Sequence, residues 1–144
     1  MNSNAVILKA KRTPIGSFQG NLSSFSASEL ASFVIHDLLK DAKFDRTLIN
    51  EIILGNVLSA GQGQAPARQA ALKGGCEKSV EALTINKMCG SGLKAVMLAD
   101  QAIRCGDADI ILAGGMESMS NAPHILMNSR KGTRLGHTKA VDSL

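Results

Sequence analysis

One cysteine lies in a sequence setting that could support nucleophilic chemistry. Cys89 follows a short apolar run and precedes Gly90, Ser91 and Gly92, after which apolar residues recur at helical spacing. The N-terminus of a helix presents free backbone N–H groups and the positive end of its dipole, and both favour a thiolate over a thiol. Because the thiolate is the nucleophilic form of cysteine, Cys89 is a candidate for covalent catalysis. The alternative is an inert packing residue, as most free cysteines are.

The other cysteines and the histidines lack such a setting. Cys76 and Cys105 are predicted to be packing residues. Three cysteines without a CxxC pair argue against a disulfide framework and against a zinc site, so no metal is expected. His36 falls within an amphipathic stretch, and His124 and His137 have no partner in the sequence. None of the three histidines is expected to act as a base.

Apolar runs that alternate with amphipathic stretches predict an α/β fold whose strands are mostly parallel, with helices as crossovers. Each run is short and continuous, which is typical of a strand buried on both faces. The four predicted strands are residues 5–8, 52–54, 82–85 and 110–115.

Three helices are expected to position the strands and Cys89. The first begins at a capping box formed by Ser26 and Glu29, with a predicted apolar stripe. The second has Pro66 in its first turn and ends near residues 74–75, both glycine. The third, residues 89–105, is apolar around nearly its whole circumference, which predicts burial on all sides by further chain or another subunit. The stripe of the first helix is Leu30, Phe33, Val34 and Leu38.

Composition excludes several classes of protein. A hydrophobic fraction of 44% with 19% charged residues is that of a globular chain, and 144 residues suit one domain. The net charge of +4 is scattered and lacks interleaved aromatic residues, so no nucleic-acid partner is expected. Residues 1–4 do not begin a signal peptide, and no apolar run reaches the ~20 residues of a membrane span. The expected location is the cytoplasm.

Several separated motifs resemble those of thiolases, and they occur in the same order. The resemblance covers essentially the whole chain, and a set of ordered motifs is far more specific than any one of them. The acyl-enzyme signature is matched by Ile85, Asn86, Cys89, Gly90, Ser91, Gly92, Leu93, Ala95 and Val96, with Ile103 at the expected distance. The further matches are Arg12-Thr13-Pro14 with Gly16-Ser17-Phe18, Gly61-Gln62-Gly63-Gln64 before Pro66-Ala67-Arg68-Gln69, and Gly114-Gly115-Met116-Glu117-Ser118-Met119-Ser120.

The resemblance implies a thiolase-like layered α/β fold, of which this chain is the N-terminal half, with a mixed, mostly parallel sheet and a buried nucleophile helix. Residues 1–120 are expected to form the core domain, and residues 121–144 to begin a loop region used in oligomerisation. In the family, the cysteine at the position of Cys89 is acylated, and its backbone N–H helps to stabilise the oxyanion. The resemblance also implies that the complete protein is a homo-oligomer, either a dimer or a tetramer.

The implied activity is that of an acetyl-CoA C-acetyltransferase, which condenses two acetyl-CoA to acetoacetyl-CoA and catalyses the reverse thiolysis. Coenzyme A thioesters are the substrates, and no permanently bound cofactor is expected. One alternative is a degradative thiolase acting on longer 3-oxoacyl chains, and another is a non-catalytic structural fragment. The family's Asn in NEAF, His in GHP and Cys in CxGGG are absent from this sequence. The chain is therefore expected to be part of a longer protein and inactive alone.

Four positions in or near the motifs need a separate interpretation. Many thiolases carry Asn where this chain has Ala65, at a helix start that Asn caps better, so a local loss of stability is expected. Glu117 is predicted to serve in packing or in anchoring a loop rather than to transfer a proton. Gly114 and Gly115 indicate a crowded strand end, because no GxGxxG opens a helix there as a nucleotide site requires.

Overall fold

The computed structural model describes residues 4–42 and 44–144. Residues 1–3, at the terminus for which no signal peptide is expected, lie outside the described residues. The helices are α1 (Ala27–Lys40), α2 (Pro66–Gly74) and α3 (Ser91–Cys105). The strands are β1 (Glu51–Gly55), β2 (Glu81–Ile85), β3 (Ile111–Gly115), β4 (His124–Leu126) and β5 (Ala140–Asp142). Short 3-10 turns occur at Arg46–Leu48, Met119–Asn121 and Ser129–Lys131.

The main sheet is three-stranded and entirely parallel, in the order β2-β1-β3. Its register places Glu51 opposite both Glu81 and Ile111. The chain moves from β1 to β2 in one direction along the sheet and from β2 across β1 to β3 in the other. Right-handed crossovers in opposite directions put their helices on opposite faces of the sheet. The predicted α/β layering is confirmed, although the one antiparallel pair, β4 with β5, forms a separate sheet.

Central strand β1 contributes side chains to both faces of the sheet. Ile52 and Leu54 belong to the apolar cluster formed with α1 and α2, and both are buried. Ile53, between them in sequence, points to the opposite face because side chains alternate along a strand. On that face α3 packs against β1 and β3, and its buried residues Ala95 and Ala99 are small. Small residues let the helix approach the sheet closely.

Helices α1 and α2 pack closely because small residues line their contact. A Cβ added to Gly74 would lie 2.6 Å from Cγ2 of Ile35, so only glycine fits there. Because the chain has no Trp or Tyr, the buried cluster consists of Ala, Leu, Ile and Val together with Cys76 and Met116. Buried members from the two helices are Ala27, Ala31, Ile35, Leu39, Ala67, Ala70 and Ala71.

The start of α1 is as predicted, but its buried face is not. Ser26 Oγ accepts a hydrogen bond from the backbone N–H of Glu29, and the Glu29 carboxylate accepts one from the Ser26 N–H, which confirms the capping box. The predicted apolar stripe is wrong, since Phe33 is 49% exposed. The face of α1 that packs on α2 is instead the neighbouring one, which includes Ala31 and Ile35 and carries smaller side chains. Close helix packing favours alanine and serine over the larger side chains.

The prediction of a buried strand at residues 5–8 is wrong for the described chain. The run forms no strand there, and Val6, Ile7 and Leu8 are 72%, 80% and 70% exposed. It forms one wall of an apolar cavity of about 830 Å³ whose other walls include β3 and α1. Because the cavity separates the run from the free edge of β3, the two backbones do not pair.

Two expectations about burial in the second half of the chain change. Strand β3, predicted at residues 110–115, runs Ile111–Gly115 and is half-buried rather than buried, because it is an edge strand of the three-stranded sheet. Helix α3 buries one face only, and Leu93 and Met97 are 70% and 51% exposed. The expectation that this chain alone cannot wrap an all-apolar helix is confirmed. Further chain or another subunit on its far side stays a prediction.

Residues 121–144 are more ordered than their composition indicates. The sequence predicts that this segment begins a loop region, whereas β4 and β5 pair antiparallel with His124 opposite Asp142. Ser143 donates hydrogen bonds from its N–H and Oγ to the carbonyl of Pro123, which ties the end of this hairpin to its beginning. Three-residue strands are too short to show periodicity in sequence. No helix among the described residues has the length and apolar character needed to cross a bilayer.

The residue before α2 has a strained backbone. Ala65 has φ 47° and ψ 64°, the left-handed region, and no side-chain capping bond. The backbone N–H of Ala67 instead donates to Oγ1 of Thr84 on β2, at 3.0 Å, so a neighbouring strand supplies the cap. The cost at Ala65 is therefore mainly conformational, since a left-handed alanine is disfavoured by about 1–2 kcal/mol.

Replacing Ala65 by asparagine is expected to stabilise the fold by about 0.5–1 kcal/mol, because Asn tolerates the left-handed region better than Ala. Ala65→Val is the matched control and should destabilise, since a β-branched side chain is poorly accommodated at positive φ. Thermal unfolding followed by circular dichroism measures both changes. Equal melting temperatures for the two variants would contradict this account.

Ion pairs attach the N-terminal segment to the end of α1. Lys9 Nζ and Lys11 Nζ lie 2.6 and 2.8 Å from Oδ2 of Asp41, and Lys11 also pairs with Asp37. Hydrogen bonds from Lys11 and then Lys9 lower the pKa of Asp41 from 3.8 to about 2. Since these groups are exposed, the pairs are screened by salt and act mainly as a positional tether.

The Asp41 tether predicts a specific acid sensitivity. Because the folded-state pKa lies below 3.8, the carboxylate contributes stability above that pH and loses it as the pH falls towards about 2. The melting temperature of the wild type should therefore fall more steeply across this window than that of Asp41→Asn. The difference should shrink in concentrated salt. Parallel curves at low salt would show that the ion pairs contribute nothing.

Candidate active site

Cys89 lies at the turn that joins β2 to α3, as the sequence predicts. Strand β2 ends at Ile85, α3 begins at Ser91 with Gly90 as its N-cap, and Cys89 is exposed. Met88, immediately before it, has a left-handed backbone with φ 48°. Strain of this kind in a non-glycine residue costs about 1–3 kcal/mol and is often found at functional sites. The turn therefore presents Cys89 to solvent at the start of a helix.

Side-chain hydrogen bonds hold this turn in place. Oδ1 of Asn86 accepts from the N–H of Met88 at 2.9 Å. The Ser91 hydroxyl donates to the carbonyl of Met88 at 2.6 Å and accepts from the N–H of Lys87 at 2.8 Å. Ser91 is buried, so these bonds are shielded from competing water. The strained residue is thus fixed from both sides.

Glycines let the start of α3 approach the carboxyl ends of β1 and β3. A Cβ on Gly55 would lie 2.5 Å from Cβ of Ser91, and one on Gly115 would lie 3.2 Å from Cα of Gly92. Gly114 is different, because its nearest contact would be 3.8 Å away, at Leu54. The predicted crowded strand end is therefore confirmed at Gly115. Close approach of helix and strands places Cys89 above the sheet edge.

A cleft of about 310 Å³ opens beside Cys89 at this edge. In parallel α/β sheets, ligands bind outside the carboxyl ends of the strands where the strand order reverses, and this cleft has that position. Backbone atoms of glycines form much of its wall, which leaves room for a substrate. Its lining residues are Gly55, Val57, Met88, Cys89, Ser91, Gly92, Gly115, Met116 and Glu117.

Glu117 anchors the loop that follows β1, as predicted. Its Oε2 accepts a hydrogen bond from the N–H of Val57 at 2.9 Å. Its Oε1 accepts from the N–H of Leu58 at 3.1 Å and from Nδ2 of Asn56 at 2.8 Å. These three bonds fix the loop after β1 to Glu117, which follows the end of β3. Sequence reasoning placed Glu117 in a packing or loop-anchoring role but could not name its partners, which lie about sixty residues earlier.

The other two cysteines and the three histidines lie outside the lining of the cleft. Cys76 is buried, and burial raises the pKa of its thiol, which confirms the packing role. Cys105 was predicted to pack, but it is the last residue of α3 and is exposed. The helix ends there, so its side chain is not enclosed. His36, His124 and His137 are all exposed and do not line the cleft.

The three cysteines should differ in reactivity towards iodoacetamide. Cys89 is expected to react fastest because it is exposed at a helix start beside the cleft, while Cys105 lies at the opposite end of α3, away from the cleft. Cys76 should stay unlabelled in the folded protein, since it is buried and its thiol pKa is raised. Peptide mapping after a short pulse measures the order. Preferential labelling of Cys76 or Cys105 would contradict it.

Comparison with known proteins agrees with the motifs and the geometry. Residues 5–144 match the thiolase N-terminal domain family. The chain belongs to the thiolase family, and the resemblance of its motifs is confirmed.

Several full-length relatives are similar to this chain. A "Probable acetyl-CoA acetyltransferase" of Escherichia coli (strain K12) is 55% identical over 141 residues, which are 98% of this chain and 36% of that protein. An "Acetyl-CoA acetyltransferase" of Pseudomonas aeruginosa is 54% identical, with the same coverage. "Acetyl-CoA acetyltransferase 2" of Arabidopsis thaliana is 53% identical over 138 residues, 96% of this chain and 34% of that protein. The chain thus spans about a third of the length of these curated relatives.

Proposed function

We propose that the protein containing this chain is an acyl-CoA C-acyltransferase that condenses two acetyl-CoA to acetoacetyl-CoA and catalyses the reverse thiolysis. The observation that carries the proposal is the position of Cys89, exposed on a strained turn beside a cleft at the carboxyl ends of parallel strands. The names of the relatives support acetyl-CoA as the substrate. The activity belongs to the whole protein.

In the proposed reaction, the thiolate of Cys89 attacks the carbonyl carbon of acetyl-CoA. The bond from that carbon to the coenzyme A sulfur breaks, and coenzyme A leaves and takes up a proton. A second acetyl-CoA then loses a proton from the carbon beside its carbonyl, and the resulting carbanion attacks the acetyl group on Cys89. The acyl–sulfur bond breaks, the thiolate is regenerated, and acetoacetyl-CoA leaves. A covalent intermediate divides a difficult reaction into two steps.

This chain's contribution to the reaction is the nucleophile and its surroundings. The turn before α3 exposes the Cys89 side chain beside the cleft, and the N–H of Cys89 is proposed to donate to the oxyanion. Glu117 is the one titratable side chain besides Cys89 among the described residues of the cleft, and its carboxylate is occupied by three N–H donors. A general base is therefore proposed to come from elsewhere in the whole protein, and the isolated chain is proposed to be inactive.

The proposal is tested on the protein expressed from its complete gene. After incubation with acetyl-CoA, peptide mapping should find one acetyl group, on Cys89. Initial rates of coenzyme A-dependent cleavage should be higher for acetoacetyl-CoA than for a long-chain 3-oxoacyl-CoA. The reverse preference would indicate a degradative thiolase, and absence of both acetylation and cleavage would indicate a structural role.

We propose further that the protein acts in fatty acid metabolism in the cytoplasm, where a reducing environment keeps Cys89 a free thiol.

Residues 1–120 are proposed to form the core and residues 121–144 to begin a region of subunit contact in a homo-oligomer. Exposed apolar side chains in that region support this assignment: Leu126, Met127, Leu135 and Val141. Light scattering of the whole protein measures its subunit number.

A further inference from the structure

A continuous chain of hydrogen bonds connects Glu117 to the backbone that carries Cys89. The Glu117 carboxylate accepts from the N–H of Val57, and the Val57 carbonyl accepts from Nδ2 of Asn86 at 3.3 Å. Oδ1 of the same Asn86 side chain accepts from the N–H of Met88 at 2.9 Å. Asn86 therefore links the loop after β1 to the strained residue immediately before Cys89. We call these contacts the Glu117–Asn86 relay.

The relay joins two parts of the cleft wall that come from different elements. Val57, Met88 and Glu117 all line the cleft beside Cys89. The left-handed backbone of Met88 is unfavourable in isolation, so surrounding contacts must maintain it. The bonds to Ser91 fix Met88 from the helix side, whereas the relay fixes it from the sheet side. Without the relay, the turn has one fewer restraint against relaxing to an ordinary backbone conformation.

We propose that Glu117 and Asn86 are positioning residues for Cys89, which act by holding the left-handed turn at Met88 through the Glu117–Asn86 relay. The proposal rests on the proposed function, in which the sulfur of Cys89 must meet a thioester carbonyl in a defined geometry. A displacement of about 1 Å in a reacting group can lower a rate about a hundred-fold. Glu117 and Asn86 thus affect the rate without touching the reacting atoms.

Two substitutions interrupt the relay at different links. Glu117→Gln replaces one carboxylate oxygen by an NH2 group, so the side chain can no longer accept from the N–H groups of Val57 and Leu58 at once, because these donate to different oxygens. Asn86→Asp keeps the acceptor for Met88 but removes the donor to the Val57 carbonyl. The matched control is Asp45→Asn, because Asp45 likewise accepts a backbone N–H, from Thr47 at 2.9 Å, but before β1 at the opposite end of the sheet.

The experiment uses the protein expressed from its complete gene and measures the rate of Cys89 acetylation by acetyl-CoA. Each relay variant should acetylate about ten- to a hundred-fold more slowly, and the double variant no more slowly than the slower single one, because both act through one turn. Asp45→Asn should match the wild type. Iodoacetamide labelling of Cys105 should be unchanged and Cys76 should stay protected, which shows that the fold is intact.

Two results would overturn the proposal: relay variants that acetylate Cys89 at the wild-type rate, or a double variant in which the two losses multiply. If labelling of Cys76 shows that Glu117→Gln unfolds the protein, the test of the relay rests on Asn86→Asp alone. That variant changes an exposed side chain and leaves the Glu117 bonds in place. If Cys89 of the wild type is not acetylated, the proposed function fails. The relay is then tested by the ratio of iodoacetamide labelling at Cys89 to that at Cys105. An unchanged ratio in both variants overturns it.

Discussion

Cys89→Ala is expected to lower coenzyme A-dependent cleavage of acetoacetyl-CoA by at least about a thousand-fold, because loss of a covalent nucleophile leaves only substrate binding and orientation. Its melting temperature should match that of the wild type, since the Cys89 side chain is exposed. Cys89→Ser should be almost as inactive, because a hydroxyl is far harder to ionise than a thiol. Initial rates and the mass of acetylated protein measure the effect in the whole protein.

The control for this prediction is Cys105→Ala, which removes the other exposed cysteine, the last residue of α3. It should keep the wild-type rate and still accept one acetyl group. If Cys89→Ala retained more than about a tenth of the activity, a nucleophile elsewhere would be doing the chemistry. Loss of acetylation in Cys105→Ala would point to the same conclusion.

Gly55→Ala is expected to destabilise the fold by about 3 kcal/mol, because the new Cβ would lie 2.5 Å from Cβ of Ser91 and 2.6 Å from its carbonyl carbon. Gly55 is buried at the end of the central strand, so the strain must move the start of α3. Movement of Ser91 displaces Cys89, and activity should fall about a hundred-fold in protein that still folds. Denaturant unfolding and acetylation rates measure the two effects separately.

Gly114→Ala provides a matched control in the neighbouring strand. Its added Cβ would make an ordinary contact, 3.8 Å from Cδ2 of Leu54, so stability should change by less than about 1 kcal/mol. Acetylation of Cys89 should proceed at the wild-type rate. Equal losses from Gly55→Ala and Gly114→Ala would mean that loss of glycine itself, rather than the contact with Ser91, is responsible.

Local chemistry was enough to predict most of the helices and strands. The capping box at Ser26 and Glu29 acts over three residues, and Pro66 and Gly75 mark the two ends of α2. Three of the four predicted strands form, because a short continuous apolar run between crossovers is enough to indicate a strand, although β2 and β3 are only partly buried. The fourth, at residues 5–8, does not form in the described chain, because a strand needs a neighbour and local sequence cannot supply one.

The position of Cys89, the candidate nucleophile, was predictable for a similar reason. Cys89 and its flanking glycines are adjacent in sequence, and their place at the start of α3 depends on a local turn. Which substrate Cys89 can react with depends instead on contacts between residues that are distant in sequence. The three donors to Glu117 come from residues 56–58, and Gly55 meets Ser91 across 36 residues.

The sequence by itself determined the layered α/β fold, the thiolase motifs and the position of the candidate nucleophile, because each depends on residues close together in the chain. Only the tertiary structure decided which face of α1 is buried, because closely packed helices select small residues such as Ala31 over Phe33. It also decided the left-handed backbone of Met88 and its support by Glu117 through Asn86. A left-handed backbone in a non-glycine residue persists only where surrounding contacts hold it, and here those contacts come from separate elements that no local sequence pattern indicates.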